Sequence, residues 1–117
     1  MASLPFQVSS RKVDTGERAV VVEGEVDMAT APVLDKELAR CRGRVVVDLR
    51  SVPFMDSSGI RVLIKHKARL DEIGGQIRLL VVSGDIRRLF ELTGLTDLFV
   101  IDSSLHPSGK PPADAGT

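Results

Sequence analysis

The stretch that decides the fold is "VVVDLRSVPFMDSSGIRVLIKHKARL", residues 45–70. A β-branched run leads into Asp56-Ser57-Ser58-Gly59, and a helical pattern follows. Val45 to Leu49 read as a buried strand. Ile60, Leu63, Ile64, Ala68 and Leu70 recur at spacings that place them on one side of a helix from about Ser58 to Ile73. Arg61, Lys65, Arg69 and Glu72 fall on the other side and are expected in water, with Lys67 snorkelling out from the apolar side. Gly74 and Gly75 end the helix.

Similar units lie on either side. "FQVSSRKV" (residues 6–13) alternates weakly, as an edge strand does, and "DTGE" turns around Gly16. "RAVVVEGEV" (residues 18–26) reads as a strand, and its consecutive Val20, Val21 and Val22 predict a sheet covered on both faces. A first helix is expected from Thr30, a good N-cap, with Pro32 in the first turn and Leu34, Leu38 and Cys41 facing inward, closing at Gly43. "QIRLLVV" is a further strand. "SGDIRRLFELTG" is a third helix, with Ser83 as N-cap, Gly94 just past its end, and Ile86, Leu89, Phe90 and Thr93 on its inner face. "LFVI" (residues 98–101) is a last short strand. Strands alternating with helices predict an α/β fold: a mixed, mostly parallel sheet of about five strands with helices packed mainly on one face. The domain is expected to span residues 6–101, and the Pro/Gly/Ser-rich residues 102–117 read as a flexible tail.

Composition narrows the function. The 117 residues suffice for one domain, and 43% hydrophobic content argues against disorder. With no Trp or Tyr and four Phe, the core must be aliphatic. Sixteen Lys and Arg balance sixteen Asp and Glu, so no basic surface is implied, and aromatic residues at 3% offer no stacking platform. A nucleic-acid partner is therefore disfavoured. Cys41 is the only cysteine, which rules out an intrachain disulfide and a cysteine zinc cluster; its inward position predicts a buried thiol. "MASLPFQVSS" has neither the basic nor the apolar region of a signal peptide, and no apolar run reaches the roughly 18 residues of a membrane span. A cytoplasmic protein with no membrane partner is expected.

The polar knot lies where a strand's C-terminal end meets a helix N-terminus, the side of open α/β sheets where ligands and partners bind. There the helix has unpaired N–H groups and a partial positive charge. Capping alone explains an Asp and a Ser, and Ser57 is placed as N-cap. It does not explain Gly59, which costs about 1 kcal/mol inside a first turn, or a second serine. Phe54 and Met55 read as core packing at the strand end, although an exposed Met55 would suit a partner surface.

Enzymatic readings fare poorly. The G-x-S-x-G elbow is absent because Met55 stands two before Ser57. His66 reads as a solvated helix residue and His106 lies in the tail, so no triad forms. Asp48 closes its strand as a receiver aspartate does, and Glu25 and Asp27 offer nearby acids, but no lysine ends the last strand. Asp48 therefore reads as structural. With no Walker motif and no G-x-G-x-x-G, no cofactor or metal is expected, and the chain reads as a non-enzyme.

"EGEVDMATAP", "VVVDLRSVPFMDSSGIRVLI" and "IRRLFELTGLTDLF", in that order across about residues 8–101, resemble the STAS domain of bacterial anti-sigma-factor antagonists. The resemblance implies that Ser57 is the phosphoacceptor. It implies that the dephosphorylated chain binds an anti-sigma factor with GHKL-type serine kinase activity, freeing the sigma factor, and that a metal-dependent serine phosphatase reverses the modification. Asp27 matches the family's aspartate beside the serine, and Asp56, Ser58 and Gly59 complete the loop. Glu25, Met28 and Thr30, with Ile60 and Arg61 at the helix start, are implied partner-binding residues; capping is the alternative role for Thr30. The sequence departs from the family where many members continue into a fourth helix, since "DSSLHPSGKPPADAGT" is a poor helix former, and Arg61 stands where some carry Gly. The rival is a STAS accessory subunit of a transporter ATPase or other complex, without a phospho-switch.

Overall fold

The chain enters through a hairpin, β1 (Gln7–Lys12) against β2 (Arg18–Glu23), paired antiparallel from Gln7↔Glu23 to Lys12↔Arg18. The computed structural model describes residues 5–81 and 83–102. After the hairpin come α1 (Ala31–Ala39), β3 (Arg44–Ser51), α2 (Ser57–Glu72), β4 (Gln76–Leu80), α3 (Gly84–Leu92), a 3-10 turn (Leu95–Asp97) and β5 (Val100–Asp102). The strands lie in chain order, β1-β2-β3-β4-β5, and every pair after the hairpin is parallel. Asp102, expected to open the tail, is the last residue of β5 and accepts the Val81 N–H. The rest of the expected tail, 103–117, lies outside the described residues.

One face of the sheet carries the main core. Val20 and Val22 of β2, Val47 and Leu49 of β3 and Leu79 of β4 are fully buried with Leu34 and Leu38 of α1, Leu63 and Leu70 of α2, and Phe90 of α3. Phe99 closes against Phe90 edge-to-face, with ring centres 6.0 Å apart. The opposite face differs from the expectation raised by the three valines. Val21 is only half-buried, and the apolar cluster there is small: Ala19, Val46 and Leu80, with Val13 packed against it. Ion pairs occupy the rest of that face. Arg78 donates to both carboxylate oxygens of Glu17 and to Asp102, and Arg50 donates to both oxygens of Asp48. The β-branched run thus buries one face in helices and lays the other under charged side chains.

Helix α2 is rotated from its predicted phase. Its buried residues are Gly59, Ile60, Val62, Leu63, His66 and Leu70, while Ile64 and Ala68 are exposed. His66, expected in solvent, is 1% exposed. Arg69, also expected in solvent, is half-buried and donates to the Leu38 and Cys41 carbonyls. The cause is α1, which packs along one flank of α2 and draws these two polar side chains inward with Asp35 and its own C-terminal carbonyls. Lys67 keeps its predicted half-buried stem and pairs with Asp71. Gly74, at φ +81°, takes the left-handed conformation that stops α2. In α3, Ser83 caps through the Ile86 N–H and Leu89 is half-buried. Thr93, assigned inward, is exposed and bonds back to the Leu89 carbonyl. Cys41 is buried, and burial raises its thiol pKa.

The open face makes stability acid-sensitive. Hydrogen bonds from Arg78 hold the Glu17 carboxyl below the usual range against the opposing effect of burial. Burial pushes Asp48 up, but the Arg50 side chain and backbone N–H outweigh it, so Asp48 is also lowered. A carboxyl lowered in the folded state adds stability above its unfolded pKa and loses it as pH falls through the folded value. The urea midpoint of the native protein should therefore fall between about pH 5 and about pH 3. Arg78→Gln should start lower at neutral pH and decline less steeply; parallel curves would contradict the assignment of Glu17.

Candidate functional site

Beyond the ends of β2 and β3 the chain makes one more link between the two strands. The Val26 N–H donates to the Phe54 carbonyl (2.9 Å), and the Asp56 N–H donates to the Val26 carbonyl (3.0 Å). This isolated parallel bridge, Val26↔Met55, stitches the two loops side by side at the C-terminal edge of the sheet. Each loop then delivers an aspartate, Asp27 from one and Asp56 from the other.

Gly59 is the seat of that bridge. A Cβ there would stand 2.7 Å from Met55 Cγ and 2.7 Å from Val26 Cγ1, both closer than real contacts allow. The sequence left this glycine unexplained by capping, and the close approach accounts for it. Gly59 is buried and Ile60 is 9% exposed, so both support the site from below and neither lies on its surface. Met55 is also buried, whereas Phe54, read as core, is 48% exposed beside it.

The caps differ from the sequence reading as well. Asp56 has extended backbone (φ −105°, ψ −170°), and its Oδ1 accepts the Ser58 N–H at 2.8 Å. Asp56, not Ser57, is therefore the N-cap of α2. Ser57 becomes the first helical residue; it is exposed, and its hydroxyl makes no hydrogen bond among the described residues. Ser58, half-buried, follows. At α1, Thr30 does not cap through its side chain, and its backbone is already helical. Asp27 supplies the acceptor, taking the Ala29 and Thr30 N–H groups at 2.9 and 3.0 Å. Thr30 Oγ1 instead accepts the Asp27 N–H and donates to the Glu25 carbonyl, which pins the loop. The Thr30 backbone N–H, seconded by that of Ala29, holds the Asp27 carboxyl below the usual range. Asp27 is thus a fixed negative charge at neutral pH.

Around Ser57 the surface is part acidic and part apolar. Glu25 is exposed, and Asp27, Thr30 and Asp56 are half-buried. Met28 stands out at 80% exposure, with Phe54 as a second apolar patch. Arg61, one turn along α2, is exposed. Pro53, Phe54, Met55, Asp85, Ile86 and Leu89 line an open cleft of about 300 Å³ between the β3–α2 loop and α3. Sequence reasoning missed this cleft, because Leu89 and Phe54 were both assigned inward. Among the described residues no three His, Cys, Asp or Glu side chains gather as a metal site. Asp48 pairs with Arg50 on the open face of the sheet. No helix among the described residues is long and apolar enough to cross a membrane.

Comparison with known proteins follows the same outline. The STAS domain family profile matches residues 10–107. The chain is 33% identical over 101 residues to the anti-sigma-B factor antagonist of Bacillus subtilis, an alignment that covers 84% of this chain and 91% of that one. The crystal structure of an anti-sigma factor antagonist from Mycobacterium paratuberculosis superposes with a TM-score of 0.77 at 30% identity, covering 86% of this chain and 88% of that one. The Bacillus cell fate determinant SpoIIAA in its phosphorylated form shares the fold, with a TM-score of 0.64 at 20% identity over 85% and 92% of the two chains.

Two substitutions test the local account by chemical denaturation. Gly59→Ala gains helix propensity but forces Val26 and Met55 aside; it should cost a net of about 1–2 kcal/mol. Asp56→Ala loses the cap and should cost about 1 kcal/mol, whereas Ser57→Ala should change stability by less than about 0.5 kcal/mol. A Ser57→Ala cost equal to that of Asp56→Ala would reverse the capping assignment.

Proposed function

The chain belongs to the STAS-domain family, and on that premise we propose that it is an anti-sigma-factor antagonist switched by phosphorylation of Ser57. The observation that carries the reading is Ser57 itself: an exposed hydroxyl without a partner among the described residues, on the first turn of a firmly capped helix, with exposed Phe54 on its own loop and exposed Met28 on the loop bridged to it. The names of the related antagonists and the phosphorylated state of SpoIIAA support it. The protein acts by binding, not by catalysis. Its partner is an anti-sigma factor that carries GHKL-type serine kinase activity, and a metal-dependent serine phosphatase restores the binding form. Glu25, Asp27, Met28, Thr30, Asp56, Ser58 and Arg61 form the contact surface around Ser57. Gly59 and Ile60 hold it up from the core.

Phosphate adds about −1.5 to −2 charge at a place flanked by the Asp27 and Asp56 loops. The α2 N-terminus offsets part of it, by about 0.3–1 kcal/mol at an exposed site, and Arg61 assists. Both effects stabilise the free phosphoprotein. Burying the dianion under a partner costs several kcal/mol. Moving a complex from mostly bound to mostly free takes about 5.5 kcal/mol, a requirement that a desolvated phosphate meets without any change of fold.

Ser57→Ala used as bait should retain a small kinase-like partner that Ser57→Asp does not retain. Incubated with that partner and ATP, the native chain should gain one phosphate by intact mass and Ser57→Ala none. Retention of a transporter ATPase subunit, or phosphate gained by Ser57→Ala, would overturn the reading.

A further inference from the structure

We propose that Asp35, His66 and Arg69 form a latch that sets α1 against α2 and so holds the Asp27 turn beside Ser57, which makes them positioning residues for the partner surface described above. The inference deepens that reading and rests on it for its functional consequence only; the latch itself is a property of the free chain.

The geometry is closed and directional. An arginine Nε–H can only donate, and Arg69 Nε lies 3.0 Å from His66 Nδ1. Nδ1 must therefore present its lone pair, and the ring proton sits on Nε2. That nitrogen lies 2.6 Å from Asp35 Oδ1 and donates to it. The other arm of Arg69 donates to the Leu38 and Cys41 carbonyls, at 2.9 and 3.1 Å, where α1 ends. The contacts thus run from the middle of α1 through an imidazole to a guanidinium on α2, and back to the C-terminus of α1. Lys65 braces Asp35 from outside at 3.0 Å. The His66 hydrogen bond keeps the Asp35 carboxyl below the usual range.

An apolar residue at position 66 would fill the same space between the helices. A buried polar group contributes something else: it permits one arrangement and penalises others that leave its atoms unpaired. The arrangement matters because α1 is one unbroken helix from Ala31 to Ala39, and its N-terminal end is the Asp27–Thr30 turn. Val26, just before that turn, is bridged to Met55, just before the Ser57 loop. The lateral setting of α1 is therefore transmitted to the spacing of the two acidic loops.

The test compares His66→Leu, which removes both contacts, with His66→Gln, whose carboxamide accepts from Arg69 and donates to Asp35. In the native chain, a long-range ¹⁵N spectrum of the histidine ring should show the neutral form protonated at Nε2. His66→Leu should shift the backbone amides of Asp27 to Thr30 and weaken the partner retained by the Ser57→Ala bait by about tenfold. His66→Gln should restore both, to within about twofold in affinity. If His66→Leu does not fold, Asp35→Ala, which cuts the latch at a partly exposed residue, should move the same amides. An Nδ1-protonated or charged ring, or unmoved Asp27–Thr30 amides in whichever variant folds, would overturn the latch. The ring and amide measurements need no partner and no phosphate, so they stand or fall apart from the Ser57 switch.

Discussion

The candidate site depends on one short parallel bridge between Val26 and Met55. Two main-chain hydrogen bonds prolong the β2–β3 pairing past the point where both strands have ended. They bring a loop from each strand to the same spot, and Gly59 leaves room for Val26 and Met55 to meet under α2. Everything exposed around Ser57 rests on that contact. A methyl group in its place would collide with the Val26 and Met55 side chains at the bridge. Hence the glycine inside a helix, which local propensity opposes, is retained for packing.

Above this floor the polar groups have divided roles. Asp56 and Asp27 spend their carboxylates on backbone N–H groups and so fix the entrances of α2 and α1. That division leaves the Ser57 hydroxyl outside the caps and without a hydrogen bond among the described residues. A hydroxyl required as a cap would be costly to modify; one beside a cap can be modified while the fold stays as it is. In the proposed switch, the added charge would act where a partner must exclude water, with its effect greatest on the complex and least on the free protein.

Much of this was legible in the sequence. The alternation of β-branched runs with helical spacing predicts the five-stranded mixed sheet and its helices on one face, and Ser83 and Gly94 mark the ends of α3 as the structure has them. What was not legible depends on neighbours distant in the chain. Periodicity alone gives α2 an apolar side but not its phase, because α1 decides that His66 and Arg69 turn inward. Ser57 and Asp56 are equally good caps on paper; the extended backbone of Asp56 chooses between them. Three consecutive valines look the same whether the second face of a sheet meets helices or, as here, the charged side chains of Arg78, Glu17 and Asp48. The Phe54–Leu89 cleft joins elements separated by a whole βα unit, and no local pattern announces it.

The central claim is that charge on Ser57, and nothing else, separates the binding from the non-binding form. The most direct measurement is calorimetry of the captured partner against two homogeneous preparations, unmodified and carrying phosphoserine at position 57. The account predicts tight binding by the first and about ten-thousandfold weaker binding by the second, with the same circular dichroism. Equal affinity for the two preparations, or a phosphorylated chain that has changed its fold, would contradict it.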